Sequence, residues 1–215
     1  MAEAGRVIAG SARGRRLRAP GEGTRPFGDR VKQTLFAILE PDLPGARVLD
    51  LFAGSGAGGI EALSRGAAAA IFVERDAAAA RVIDENLRAT GLSEKARVIR
   101  GDAIAYLKTA ATNAPFDLVL LDPPYAESGL LEAALARLGA ADQPLLASDA
   151  WVVAKHFWRT PPPPAAGLLA SVRNRRFGET ALTFYRPAQA PSPGAGSAED
   201  VARTDQPAGP QEAAT

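Results

Sequence analysis

Cysteine is absent from the 215 residues, and histidine and methionine occur once each. Without cysteine there are no disulfides and no thiolate metal sites. A single histidine, His156, leaves no histidine-rich metal centre, so no metal is expected. No apolar run approaches the roughly 20 residues that span a bilayer, and no membrane association is expected. The opening residues MAEAGRVIAG have no long apolar stretch of the secretory kind. The glycines and prolines of the Arg-rich segment after them break the amphipathic helix a transit peptide needs. Together these absences fit a cytoplasmic protein. What is present, 47% hydrophobic and 23% charged residues, predicts one medium-sized domain with a substantial core.

The formal net charge of +1 conceals a polarity. Residues 1–32 carry eight basic side chains (Arg6, Arg13, Arg15, Arg16, Arg18, Arg25, Arg30 and Lys32) against Glu3, Glu22 and Asp29. From Pro187 onward Arg203 stands alone against Glu199, Asp200, Asp205 and Glu212. A basic front end suits a polyanionic partner, although scattered surface charge is the plainer reading.

Four zones follow one another. Residues 5–25 are short, basic and turn-rich, compatible with a small hairpin or an irregular arm. Residues 29–40 read as a helix with Asp29 as N-cap and Val31, Leu35, Ile38 and Leu39 along one face, closed by Pro41 and Pro44. These form an N-terminal unit over 1–44. Residues 45–186 then alternate apolar strands at 46–52, 69–74, 96–100, 117–122 and 150–156 with helices at 57–66, 77–90, 103–109 and 129–139. Strands separated by helices of this length imply βαβ crossovers and a parallel sheet covered on both faces. After the stiff linker of prolines at 161–164, stretches 168–176 and 179–186 read as an antiparallel pair that finishes the sheet. Residues 187–215 have almost no large apolar side chain to offset ordering entropy and are expected to be disordered.

The first strand of the sheet runs into LDLFAGSGAGGIEALSRG. Gly54, Gly56 and Gly59 fit G-x-G-x-x-G, with Glu74 twenty residues beyond Gly54, formally a dinucleotide fingerprint. Asp50, still on the strand, places a fixed negative charge beside the loop. A pyrophosphate opposes that neighbour, whereas S-adenosylmethionine (SAM), with cationic sulfonium and ammonium groups and no phosphate, suits it. Glu74 can bind ribose hydroxyls under either reading, and Asp102, after the third strand, can accept from an adenine amino group. Open α/β sheets bind ligands at this carboxyl edge. The alternative is that each strand-end acid only caps a helix. A nicotinamide-dependent oxidoreductase is the literal rival, but no hydride-transfer acid is evident.

A second motif, Asp122-Pro123-Pro124-Tyr125, ends the fourth strand on the same edge. The prolines fix φ near −65° and remove two backbone donors, leaving a carboxylate and carbonyls. A site of acceptors suits an –NH2 group. Two acceptors holding its hydrogens turn the nitrogen lone pair toward an electrophilic methyl and stabilise the positive charge that grows there. Tyr125 offers a face on which a base can stack. Alone, D-P-P-Y is an ordinary turn; with the glycine loop in a βαβ frame it is a strong combined signal.

FAGSG, an acid ending the second strand, GD and then DPPY resemble the SAM-dependent methyltransferases of amino groups. RVIAGSARGRRLRAP, TRPFGDRVKQTLFAIL, VLDLFAGSGAGGIEALSRGA and FGETALTFYR are more closely similar to the RsmD type, over about residues 5–186. That resemblance implies a Rossmann-like class I fold: a seven-stranded, mostly parallel sheet with an antiparallel C-terminal strand pair and a small basic N-terminal arm. It implies methylation of the exocyclic N2 of a guanine in 16S ribosomal RNA, with the RNA in a 30S subunit or its assembly intermediate; the protein is expected to be a monomer. By the same resemblance Asp122, Pro123, Pro124 and Tyr125 hold the target base. Asp50, Phe52, Gly54, Gly56, Glu74 and Asp102 hold SAM, and Arg13, Arg15, Arg16, Arg25 and Arg30 lie on RNA phosphates. The chain departs from the pattern at Phe27, where R-P-T is usual, at Gly58, where a bulkier residue is usual and the change is expected to be tolerated, and at Lys155, where Glu is frequent. DNA adenine-N6 methylation shares the same tetrad, but the chain has no room for a separate target-recognition domain. A non-catalytic RNA-binding protein is opposed by the intact DPPY. His156 is read as a structural histidine.

Overall fold

A computed structural model of the chain describes residues 3–21, 28–125, 127, 129–142 and 144–188. The disordered-tail expectation therefore falls almost wholly outside the described residues. A two-stranded antiparallel hairpin, β1 (Glu3–Arg6) and β2 (Arg16–Arg18), leads to α1 (Asp29–Leu39). The main sheet then uses β3 (Arg47–Leu51), β4 (Ala69–Glu74), β5 (Ala96–Arg100), β6 (Phe116–Leu121), β7 (Leu146–Phe157), β8 (Ala165–Ala166), β9 (Leu169–Phe177) and β10 (Thr180–Pro187). Helices α2 (Ala57–Ser64), α3 (Ala77–Thr90), α4 (Ala103–Leu107) and α5 (Leu130–Leu138) make the crossovers.

The strand order is β5-β4-β3-β6-β7-β10-β9-β8, parallel from β5 to β7 and antiparallel beyond. Eight strands replace the seven expected. The addition is β8, two residues after the proline run that pair with the start of β9, too short to show any alternation in sequence. The order reverses between β3 and β6, and the site lies at that switch point.

The central strands are nearly continuous runs of buried aliphatics because both faces are covered. On one face Val48, Leu118, Leu120, Val153, Leu182 and Phe184 pack with α1, α2 and the hairpin; on the other Leu49, Val119, Leu121, Val152 and Tyr185 pack with α4 and α5. Val7, Ala12 and Leu17 of the hairpin region share the first of these clusters.

Helix α1 corrects two expectations. Gly28 occupies the N-cap position and Asp29 lies in the first turn, making no side-chain cap bond. Asp29 instead faces Arg6 and Lys32, each 3.6 Å away. The buried stripe is Lys32, Leu35, Phe36 and Leu39, turned by one position from the expected face. Lys32 is fully buried, with Nζ donating to the Arg6 carbonyl at 2.5 Å. Its aliphatic stem is buried with its polar end satisfied, while Val31 and Ile38 are only partly buried against the same core.

The hairpin is fastened to α2 by polar groups. The fully buried carboxylate of Glu61 accepts from Ile8 N at 2.7 Å, Ala9 N at 3.0 Å and Arg65 Nε at 2.8 Å. Ser64 Oγ donates to Ala9 O at 2.6 Å and accepts from Ala12 N at 2.9 Å. The chain passes so close here that a Cβ at Gly10 would lie 1.8 Å from the Ser64 carbonyl oxygen. Buried Asn86 on α3 continues the link, pairing with the Arg18 backbone in both directions and donating to Ser55 O of the glycine loop at 2.9 Å.

Candidate active site

A cavity of about 890 Å³ opens at the carboxyl ends of β3, β4 and β6. It lies toward the upper end of the roughly 300–1,000 Å³ typical of small-molecule sites. Asp50, Phe52, Gly54, Glu74, Asp102, Asp122, Pro123, Pro124 and Tyr125 all line it. Of the residues expected around SAM and the target base, only Gly56 is not in the lining. Gly56 shapes the loop: it takes φ +75°, and an added Cβ would press on Ile83 at 3.1 Å. Gly54, also left-handed at φ +57°, has open space where its Cβ would be. Phe52 holds φ 61°, an unusual conformation for a residue with a side chain, at the turn from β3 into the loop.

Of the three strand-end acids, only Asp102 is the N-cap of a helix; Gly56 stands at the N-cap of α2, and α3 is capped by Asp76. Asp50 Oδ2 accepts from Gly59 N, in the first turn of α2, at 2.8 Å. Glu74 accepts from Gly54 N at 2.8 Å and Asp76 N at 2.9 Å. Asp102 caps α4 through Ala105 N at 2.7 Å. All three carboxylates border the cavity, so at Asp102 a capping bond and exposure to a ligand coexist in one side chain. Burial pushes the Asp50 carboxyl up to about 8; the Gly59 bond opposes this, while Asp122 and Glu74 add to it. The acceptor set and the acidic rim fit a ligand carrying positive charge and hydroxyl donors, as SAM does. The open approach at Gly54 lets such a ligand reach the backbone.

At the turn after β6, the Pro124 carbonyl accepts from Glu127 N at 3.0 Å. Tyr125 is 42% exposed, and its hydroxyl lies 3.3 Å from Thr180 Oγ1 of β10. Arg75 and Glu127 form an ion pair that ties the end of β4 to this turn. Lys155 is the neighbour that sequence reasoning discounted. Its Nζ donates to both Asp122 oxygens, at 2.8 and 2.7 Å. The strand register places it there: Leu121 pairs with Ala154, which sets the next residues, Asp122 and Lys155, side by side. Thr180, which also lines the cavity, had no signal, because its position depends on the antiparallel return of β10.

The expected phosphate-binding arginines lie apart from these groups. Arg13, Arg15, Arg16 and Arg30 are exposed, with Arg16 paired to Glu3 at 2.6 Å. Arg25, with Phe27, lies outside the described residues. The loop-and-arm side borders the cavity through Ala4, Pro20, Gly21 and Val31. His156 is buried, with Nε2 2.9 Å from Thr183 Oγ1 and Nδ1 2.8 Å from the Phe157 carbonyl, and burial lowers its pKa. No group of three or more potential metal ligands occurs among the described residues, and none of their helices is long and apolar enough to cross a membrane.

A doubly wound sheet with a glycine loop and a DPPY turn at its switch point defines a class I, SAM-dependent methyltransferase. The chain belongs to the RsmD-type family: the family model described as Conserved hypothetical protein 95 matches residues 5–186. It is 41% identical over 184 residues to YlbH of Bacillus subtilis, named as a candidate rRNA methyltransferase, covering 84% of this chain and 98% of that one. It is 39% identical over 167 residues to ribosomal RNA small subunit methyltransferase D of Haemophilus influenzae, covering 70% of this chain and 86% of the relative. The solved structure of Escherichia coli yhhF, described as a candidate methyltransferase, superposes with a TM-score of 0.72 at 38% identity, covering 85% of this chain and 97% of that one.

Proposed function

We propose that this methyltransferase modifies ribosomal RNA of the small subunit, at the exocyclic N2 of a guanine. The reading rests on one observation above the others: Asp122 and the Pro123-Pro124-Tyr125 turn stand at the rim of the cavity that Asp50, Glu74 and Asp102 border. It draws support from relatives named for rRNA small subunit methylation.

SAM, when bound, supplies a methyl group on a sulfonium, which leaves as a neutral thioether. Asp50, Glu74 and Asp102 would hold it, with Phe52 and Gly54 against it. Asp122 accepts one N–H of the target amine. The Pro124 carbonyl already takes the Glu127 amide, so the second acceptor is the carbonyl of Pro123. Held by both, the nitrogen directs its lone pair at the methyl and is spared reorientation during reaction. As the N–C bond forms one N–H proton leaves, and Asp122 is the base against it. Tyr125 stacks on the base, a contact of roughly 1–3 kcal/mol in comparable sites. The target leaves its own stack to reach this pocket, while Arg13, Arg15, Arg16, Arg25 and Arg30 hold phosphates.

The test is transfer of labelled methyl from SAM to naked 16S RNA, to 30S particles and to duplex DNA by the purified protein. Mapping at nucleotide resolution in RNA from cells with and without the gene then locates the base. One guanine N2 methyl group that vanishes on deletion supports the proposal. Label on adenine in DNA, with none on rRNA, overturns it.

A further inference from the structure

The bond between Lys155 and Asp122 has no place in the catalytic scheme above. Both side chains are largely withdrawn from solvent, 9% and 24% exposed, and the ammonium engages both carboxylate oxygens. Lys155 Nζ also lies 5.8 Å from the centre of the Tyr125 ring, so it stands between two members of the DPPY turn. Among the described residues Lys155 is the cation that acts on Asp122. Asp50 of β3, with Glu74 of β4 beside it, is an acid and brings no positive charge, and Tyr125 presents its ring to Lys155. Arg75 is engaged by Glu127 at the turn, and Lys32 of α1 is directed to the Arg6 carbonyl. Burial raises the Asp122 carboxyl, and Lys155 is what opposes that rise.

We propose that Lys155 is a positioning residue for methyl transfer: it keeps Asp122 ionised and fixes the plane of its carboxylate. A protonated carboxyl has one oxygen fewer to accept an amine hydrogen, and it cannot take up the departing proton. In the scheme above the carboxylate must be charged when the base arrives. Lys155 supplies that condition from the adjacent strand, yielding one oxygen to the amine and keeping the other. The charge matters more than the shape, so a guanidinium serves in its place and an isosteric neutral chain does not. This role rests on the assignment of Asp122 to the target amine.

Wild type, Lys155→Met and Lys155→Arg are compared in two measurements. The pH profile of kcat at saturating SAM and RNA should have its acid limb moved up by about 1–3 units in Lys155→Met, the span that one close opposite charge produces. At pH 7 this variant should lose roughly 10-fold or more in kcat, regain activity at higher pH, and show little change in the RNA KM. Lys155→Arg should follow wild type. Independently, the ¹³C carboxyl resonance of Asp122 should titrate at higher pH in Lys155→Met than in wild type. If wild type methylates no rRNA, the functional proposal fails, and the carboxyl titration still decides whether Lys155 sets the charge of Asp122. An unmoved titration, or a loss of kcat equal at every pH, overturns the proposal.

Discussion

With Asp50 among the residues proposed to hold SAM, binding is expected to be a proton-linked event. Its side chain is buried, with the residue 5% exposed, and its carboxyl is raised to about 8 chiefly by loss of water. In the free protein at pH 7 roughly one such carboxyl in ten is ionised, and at pH 6 roughly one in a hundred. A ligand bearing a sulfonium and an ammonium favours the ionised form, so binding expels a proton below pH 8. SAM affinity is therefore expected to rise about tenfold per pH unit between pH 6 and 7, and to flatten on approaching 8. Calorimetric titration in two buffers of different ionisation enthalpy counts the proton directly: close to one is released per SAM at pH 6.5. Asp50→Asn should release none and show no slope. Stability follows the opposite sign. The folded carboxyl titrates above its unfolded value near 3.8, so its contribution is complete at acid pH and is lost as pH rises through 8. The ligand-free Tm should fall across that window in wild type and less in Asp50→Asn. Wild-type affinity that is flat from pH 6 to 7.5, with no proton released, would refute the reasoning by showing that Asp50 is already ionised or does not meet the ligand.

Asp122→Ala removes the acceptor fixed beside the amine and should lower kcat by roughly 10²–10³, the scale for losing one preorganised partner, with SAM affinity little changed in calorimetry. Replacing Arg13, Arg15 and Arg30 by alanine should weaken RNA binding across sequences and flatten its salt dependence. The slope of log K against log salt should fall by roughly 0.7–0.9 for each phosphate no longer neutralised, as read by filter binding at several salt concentrations. Gly59→Ala should destabilise more than Gly58→Ala in thermal denaturation. At Gly59 the new Cβ would lie 2.4 Å from the buried ring of Phe72, whereas at Gly58 it meets the end of the Leu120 side chain at 2.7 Å. Overpacking against a fixed ring costs about 1–3 kcal/mol or more, and a leucine terminus can rotate away.

The parallel half of the sheet was legible because β3, β4, β5 and β6 carry clusters of aliphatics and each is followed by a capped or glycine-started helix. Asp76 and Asp102 accept from the third residue beyond them, as an N-cap does. Local chemistry therefore fixed those boundaries. The hairpin was legible only as one of two possibilities, since Glu3–Arg6 and Arg16–Arg18 bury one residue each and the segment joining them is held by Glu61 and Ser64 more than fifty residues away. Lys32 defeated the helical pattern for a similar reason: its partner, the Arg6 carbonyl, lies on another element. The glycine loop and the DPPY turn could be read from their composition. The charge state of Asp122 could not, because it depends on which strand lies beside β6 and in what register. That register brings Lys155 to the carboxylate from 33 residues away. A residue judged from its own strand is only a departure from a pattern; judged across the sheet it becomes the counter-charge of Asp122. The chemistry of this site is thus set by the order of strands as much as by the motif that marks it.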